Sequence, residues 1–245
     1  IINYDFYNPA NIIIIDRNKA EIPKDFLKSQ FQSIPLKIME KYSIKSWVNT
    51  IISKEEWFKL DTGMFVISLD FELEYGMEDS VNKNTENMLL KTRTIIPQIL
   101  NCFEKYQIHA TWATVGKLFA TDKKNMHSYY PIDLPTYSNV LLSSYEYDSR
   151  IKNDEKIDPY HYALELINKI KMTPGQELGS HTFSHYYCNT EGQTENQFKE
   201  DIKSAINIMQ DNCNIKPISI VFPKNEINDK YVDYIGQMGF TSYRG

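Results

Sequence analysis

Apolar residues along this chain fall into short unbroken runs and longer periodic stretches, separated by polar turns. Phe65, Val66, Ile67 and Leu69 form a run rich in β-branched and aromatic side chains, the pattern of a strand buried on both faces. Ile95, Ile96, Ile99, Leu100 and Phe103 repeat at helical spacing. Pro97 fits a first turn, so Thr94 is the expected N-cap; the alternative is an earlier helix kinked at Pro97. Residues 108–115 read as the next strand and residues 116–120 as a short helix. Strand, helix, strand within about 50 residues marks a parallel sheet.

The same alternation resumes after residue 158. Pro159 opens a helix with Tyr162, Leu164, Leu166, Ile167 and Ile170, and Pro174-Gly175 ends it. Residues 176–179 form a short strand. Thr194-Glu195-Asn196-Gln197 is a capping box for a helix reaching about Gln210. Its inward residues are Phe198, Ile202, Ala205, Ile206 and Met209. Residues 218–222 are a strand. Asn228 caps a helix with Tyr231, Val232, Ile235 and Met238, stopped by Gly239. Residues 240–243 start a last strand. Roughly five or six βα units give a parallel barrel or an open doubly wound sheet. Ending on a strand points to a domain incomplete at its C-terminal end.

Two stretches break the pattern. Residues 121–158 gather prolines and tyrosines (Tyr129, Tyr130, Pro131, Pro135, Tyr137, Tyr145, Tyr147) with weak periodicity. A long irregular stretch in a compact domain is functional or disordered. Tyrosine faces suit sugar rings; a surface excursion packed by its own aromatics is the alternative. Residues 1–60 hold one strand, at 12–15, and helical pieces opening at Pro23 and Pro35, with no chemical motif. Asp61-Thr62-Gly63 is a turn that borders this N-terminal element.

Composition narrows the class. The chain has 245 residues, 42% hydrophobic and 24% charged, which allows one large α/β domain or two small ones. A net charge of -5 gives no electrostatic draw to nucleic acid. No apolar run approaches the roughly 18 residues of a membrane span, so no transmembrane segment is expected. The first residues lack a Met and a signal-peptide pattern, which leaves the true N-terminus open. Cys102, Cys188 and Cys213 are odd in number and not in CxxC spacing. They read as buried thiols of a reducing compartment, which favours the cytoplasm.

The candidate chemistry sits at strand ends. Asp70 and Glu72 close the first apolar run, and acids there project into the mouth of an α/β sheet or barrel. Two apart on an extended chain, they face the same side. His181 and His185 follow the short strand at 176–179. Two carboxylates and two imidazoles from separate strand ends can make a three-ligand metal site with one acid left as a base. The bland alternatives are a backbone-bonded histidine pair and a capping or ion-paired acid pair. His109, His127 and His161 read as structural or exposed.

The order of Ser68-Leu69-Asp70-Phe71-Glu72, Ala110-Thr111-Trp112-Ala113-Thr114-Val115-Gly116, His181-Thr182-Phe183-Ser184-His185, Phe222-Pro223-Lys224-Asn225 and Gly239-Phe240 resembles the polysaccharide deacetylase family. This is the NodB-homology, carbohydrate esterase family 4 group. The histidine block is the most specific part, since the family's second motif is His-Ser/Thr-x-x-His. The resemblance implies a distorted (β/α)7 barrel over residues 63–245 and a divalent metal, zinc most often. It also implies hydrolysis of N-acetyl groups on an amino-sugar glycan or its precursor. By position, Asp70 resembles the catalytic base, and His181 and His185 resemble metal ligands. Phe71 stands where the usual first motif has a second Asp; some members use an acid two residues after the base, which makes Glu72 the third ligand. Lys224 stands near the place of the third motif's Arg, and Lys224 and Trp112 are the expected substrate-binding residues. The late motif with the general-acid His is not matched. A sugar-binding or assembly protein on the same barrel, and a metallohydrolase of another amide or ester, are the alternative functions.

Overall fold

A computed structural model describes residues 66–245. The expectations for residues 1–60 and the turn at 61–63 lie outside them. Residues Ser68–Gly245 form one compact unit. Five strands run parallel in sequence order: β1 (Ser68–Phe71), β2 (Ala110–Thr114), β3 (Gln176–Ser180), β4 (Ser219–Val221) and β5 (Ser242–Arg244). The helices are α1 (Lys83–Tyr106), α2 (Lys123–Ser128), α3 (Leu164–Met172), α4 (Glu195–Cys213) and α5 (Asp229–Gln237). A parallel strand can follow its neighbour only by a crossover. Every strand therefore ends at the same edge of the sheet, and that edge collects Glu72, His181, Phe222 and Arg244. This is an α/β half-barrel of five parallel strands, the architecture expected of the distorted barrel.

Local chemistry sets the elements. Asn82 and Thr85 cap each other across the first turn of α1, which begins at Lys83 and carries Pro97 in its interior. The helix therefore starts well before Thr94. Its first half was hard to read because Met88 and Leu90 face outward, while the buried stripe is Leu89, Ile96 and Leu100. The capping box at Thr194 and Gln197 opens α4 as expected, and Asn214 closes it in the left-handed region. Ile208 is buried on α4, and Ile206 only partly so. β1 also differs from expectation. Val66 is 58% exposed and the strand is only half-buried, because among the described residues it pairs with β2 alone.

Residues 121–158 are largely irregular after α2, yet ordered by their own polar contacts. The Tyr130 hydroxyl donates to Asp148, the Thr136 hydroxyl to the Gly192 carbonyl, and Tyr137 is buried. The aromatics thus pack the excursion onto the domain. All three cysteines are free; Cys188 and Cys213 are buried, but Cys102 is exposed on α1, against expectation. Among the described residues no helix is long and apolar enough to cross a membrane.

Candidate metal centre

Glu72 leaves the sheet edge just past β1. Its backbone is no longer extended, and Leu73 at φ 48° turns the chain into a 3-10 turn. Asp70 and Glu72 thus do not continue one extended strand, and their carboxylates meet different partners. Glu72 has room because Gly76 lacks a side chain: a Cβ there would lie 2.0 Å from Glu72 Oε1. His181 and His185 come from the loop after β3. Thr182 (φ 64°) and His185 (φ 58°) both occupy the left-handed region. Non-glycine residues held there cost about 1–3 kcal/mol each and persist where the surroundings over-determine them.

The three side chains converge. Glu72 Oε2 lies 3.2 Å from His181 Nε2 and 2.9 Å from His185 Nε2. One donor atom from each residue falls within 4.8 Å of the others, and among the described residues this is the single such group of three. A tetrahedral ion with bonds of about 2 Å separates its ligands by roughly 3.3 Å, so the spacing suits one. The far sides of the rings are fixed. His181 Nδ1 lies 2.9 Å from the Val221 carbonyl, which only accepts, so Nδ1 carries the proton and Nε2 keeps its lone pair in the neutral ring. His185 Nδ1 lies 3.1 Å from the Tyr187 hydroxyl.

The charges agree with a ligand set. Burial raises the Glu72 carboxyl, but the hydrogen bonds and charges of His181 and His185 outweigh it and hold it well below the usual range. Burial lowers His185, and the charges of His181 and Lys224 add to this against the pull of Glu72. A divalent cation needs the carboxylate ionised, and on binding it displaces any proton that the imidazole Nε2 atoms carry.

Asp70 is exposed at the end of β1 and is paired with Arg244 Nη2; Arg244 Nη1 donates to the Ser68 carbonyl at 3.3 Å. Sequence reading missed Arg244, and its one signal is a lone arginine at the end of the last strand. Lys224 (φ 59°) sits with Nζ 3.8 Å from the centroid of the Tyr187 ring, close to the histidines. Trp112 is a correction. It is 3% exposed, packed edge-on to Phe71, with its indole N–H on Gln176 Oε1. A ring in the core has no free face for a sugar, so Trp112 is not a substrate-binding residue.

Comparisons with known proteins follow the same lines. The model of the polysaccharide deacetylase family matches residues 78–243, which include both histidines and Lys224 but not Asp70 or Glu72. No curated protein matches the chain. Among solved structures, a CE4 family pseudoenzyme from Bacillus anthracis is 13% identical over 73% of this chain and 42% of its own, with a TM-score of 0.41. The peptidoglycan deacetylase PdaC from Bacillus subtilis is 17% identical over 74% of this chain and 57% of its own, with a TM-score of 0.39. The Streptococcus pyogenes deacetylase PplD, in complex with acetate, is 12% identical over 78% of this chain and 62% of its own, with a TM-score of 0.45. The chain thus spans less than two thirds of these proteins.

Proposed function

This chain belongs to the polysaccharide deacetylase family, and we propose that it is a metal-dependent hydrolase that removes N-acetyl groups from an amino-sugar glycan or its precursor. The observation that carries the reading is the meeting of Glu72, His181 and His185 around one point. These three residues would hold a divalent cation, zinc first among the candidates. When bound, such an ion polarises the acetamide carbonyl and acidifies a water.

The chain's own residues supply the rest. Asp70 is the base that takes the water's proton, at the same strand end as Glu72. Arg244 keeps its carboxylate aimed. The Val221 carbonyl and the Tyr187 hydroxyl hold the imidazoles with their Nε2 atoms inward. Lys224, a compact exposed cation beside the site, contacts the polar substituents of the sugar. Acetate and a free amine are the products.

Phe71 favours a second reading, a carbohydrate-binding protein without turnover. It fills with an apolar, 3% exposed ring the position where the family's usual first motif has an Asp. The test is acetate release from an N-acetylated glycan by the zinc-loaded protein. Turnover that falls by about 10² or more in Asp70→Asn is the expected result. Glycan binding with no acetate released from the loaded wild type would establish the second reading instead.

A further inference from the structure

The loop that carries both histidines is held from outside the site. Asp201, on the second turn of α4, is fully buried and aims its carboxylate at the residues between the two imidazoles. Oδ1 accepts from the Phe183 N–H at 2.7 Å, and Oδ2 accepts from the Ser184 N–H at 3.2 Å and from the Ser184 hydroxyl. The opposite side of the loop is bonded too. The N–H groups of Gly116 and Lys117, just past β2, donate to the carbonyls of Thr182 and Phe183 at 2.8 and 3.0 Å. The fit is close: a Cβ on Gly116 would lie 2.9 Å from Phe183 Cα and 3.3 Å from Ala205 Cα on α4. Burial pushes the Asp201 carboxyl up to about 6, and its bonds to Ser184 and Phe183 and the charge of buried Lys117 oppose that rise.

We propose that Asp201 is the positioning residue of the metal-ligand loop, which sets the left-handed turns at Thr182 and His185 so that both Nε2 atoms face Glu72. The inference rests on the metal-site reading above and goes beyond it, because Asp201 touches neither ligand. Two adjacent backbone N–H groups and a hydroxyl converge on one carboxylate. An amide in its place offers one acceptor and turns an N–H₂ toward a donor. The loop then gives up one of its bonds and relaxes from the left-handed turns, and the imidazoles separate.

The test compares wild type with Asp201→Asn and Ser184→Ala. The readouts are Co²⁺ affinity, the visible band of the bound Co²⁺, and the imidazole ¹⁵N signals of the metal-free protein, with melting temperature as control. Second-sphere losses of this kind run at about 10- to 100-fold in metal affinity. Asp201→Asn is expected to weaken Co²⁺ by that factor, shift the band and move the signals of both His181 and His185. An Ile208→Val variant, melting earlier for lack of core volume alone, is expected to leave all three readouts in place. Unchanged affinity, band and imidazole signals in folded Asp201→Asn would overturn the proposal. If that variant does not fold, Ser184→Ala decides: moved imidazole signals support the proposal, and unmoved ones overturn it. A wild type that takes no Co²⁺ refutes the metal reading, whereas the metal-free imidazole signals still judge Asp201.

Discussion

Replacing Arg244 separates a positioning role from a structural one. The guanidinium bridges Asp70 and the Ser68 carbonyl, tying β5 to the end of β1. The two side chains are 30% and 35% exposed, so the ion pair contributes only about 0.2–1 kcal/mol after solvent screening. At roughly 2–4 °C per kcal/mol, Arg244→Met should lower the melting temperature by no more than about 4 °C. The effect on chemistry is larger. A base displaced by about 1 Å loses on the order of 10² in rate, so kcat should fall about 100-fold. KM should stay within about threefold, because Arg244 pairs with Asp70 and is given no contact with the proposed substrate. Arg244→Lys keeps the charge but lacks the fork that reaches Ser68, and should lose about tenfold. The assay is acetate release under saturating zinc, with the melting temperature taken on the same samples. A kcat within threefold of wild type would refute the role given to Arg244. So would a rate loss accompanied by a fall in melting temperature of more than about 8 °C.

Other outcomes follow from the same structure. Burial lowers the His161 imidazole, but Asp158 and Glu74 outweigh it and raise it from 6.5 to about 9. Its contribution to stability is therefore full below pH 6.5 and lost as pH rises through 9. The stability lost on His161→Gln, measured by denaturant unfolding, should be roughly 2–3 kcal/mol smaller at pH 9.5 than at pH 6.5. Comparing the two proteins at each pH cancels the opposing titration of buried Lys117, which burial lowers to about 8. Phe198 is fully buried on α4 and stacks on Tyr231 at 4.5 Å; Phe198→Ala should cost about 3–5 kcal/mol in the same measurement. Lys224→Met should raise KM about two- to fivefold and leave zinc affinity unchanged, and a changed zinc affinity would move Lys224 from the substrate to the metal loop.

Much of the frame was legible because its signals are local. The short strand stretches at 108–115 and 176–179, the Thr194–Gln197 capping box, and the Asn228 cap all lie within a few residues of the elements they set. The histidine spacing was equally local, and the structure brings both rings to Glu72. What stayed hidden depends on distant partners. The start of α1 stayed open between Thr94 and an earlier helix running through Pro97, the alternative the structure shows, because its first turns face solvent and carry little apolar period. Arg244 pairs with an acid 174 residues away, and no pattern around either residue announces it. Asp201 reads as an ordinary acid on a helix, and only the fold shows it beneath the histidine loop. Trp112 looked available because it sits in a motif, yet the pleat turns its ring into the core.

Calorimetric titration of zinc into the metal-stripped protein tests the central claim most directly. Wild type should bind about one equivalent, and Glu72→Ala should bind at least about 100-fold more weakly with its fold intact. Zinc uptake that is equal in wild type and Glu72→Ala, or absent from both, would contradict a cation site built from Glu72, His181 and His185.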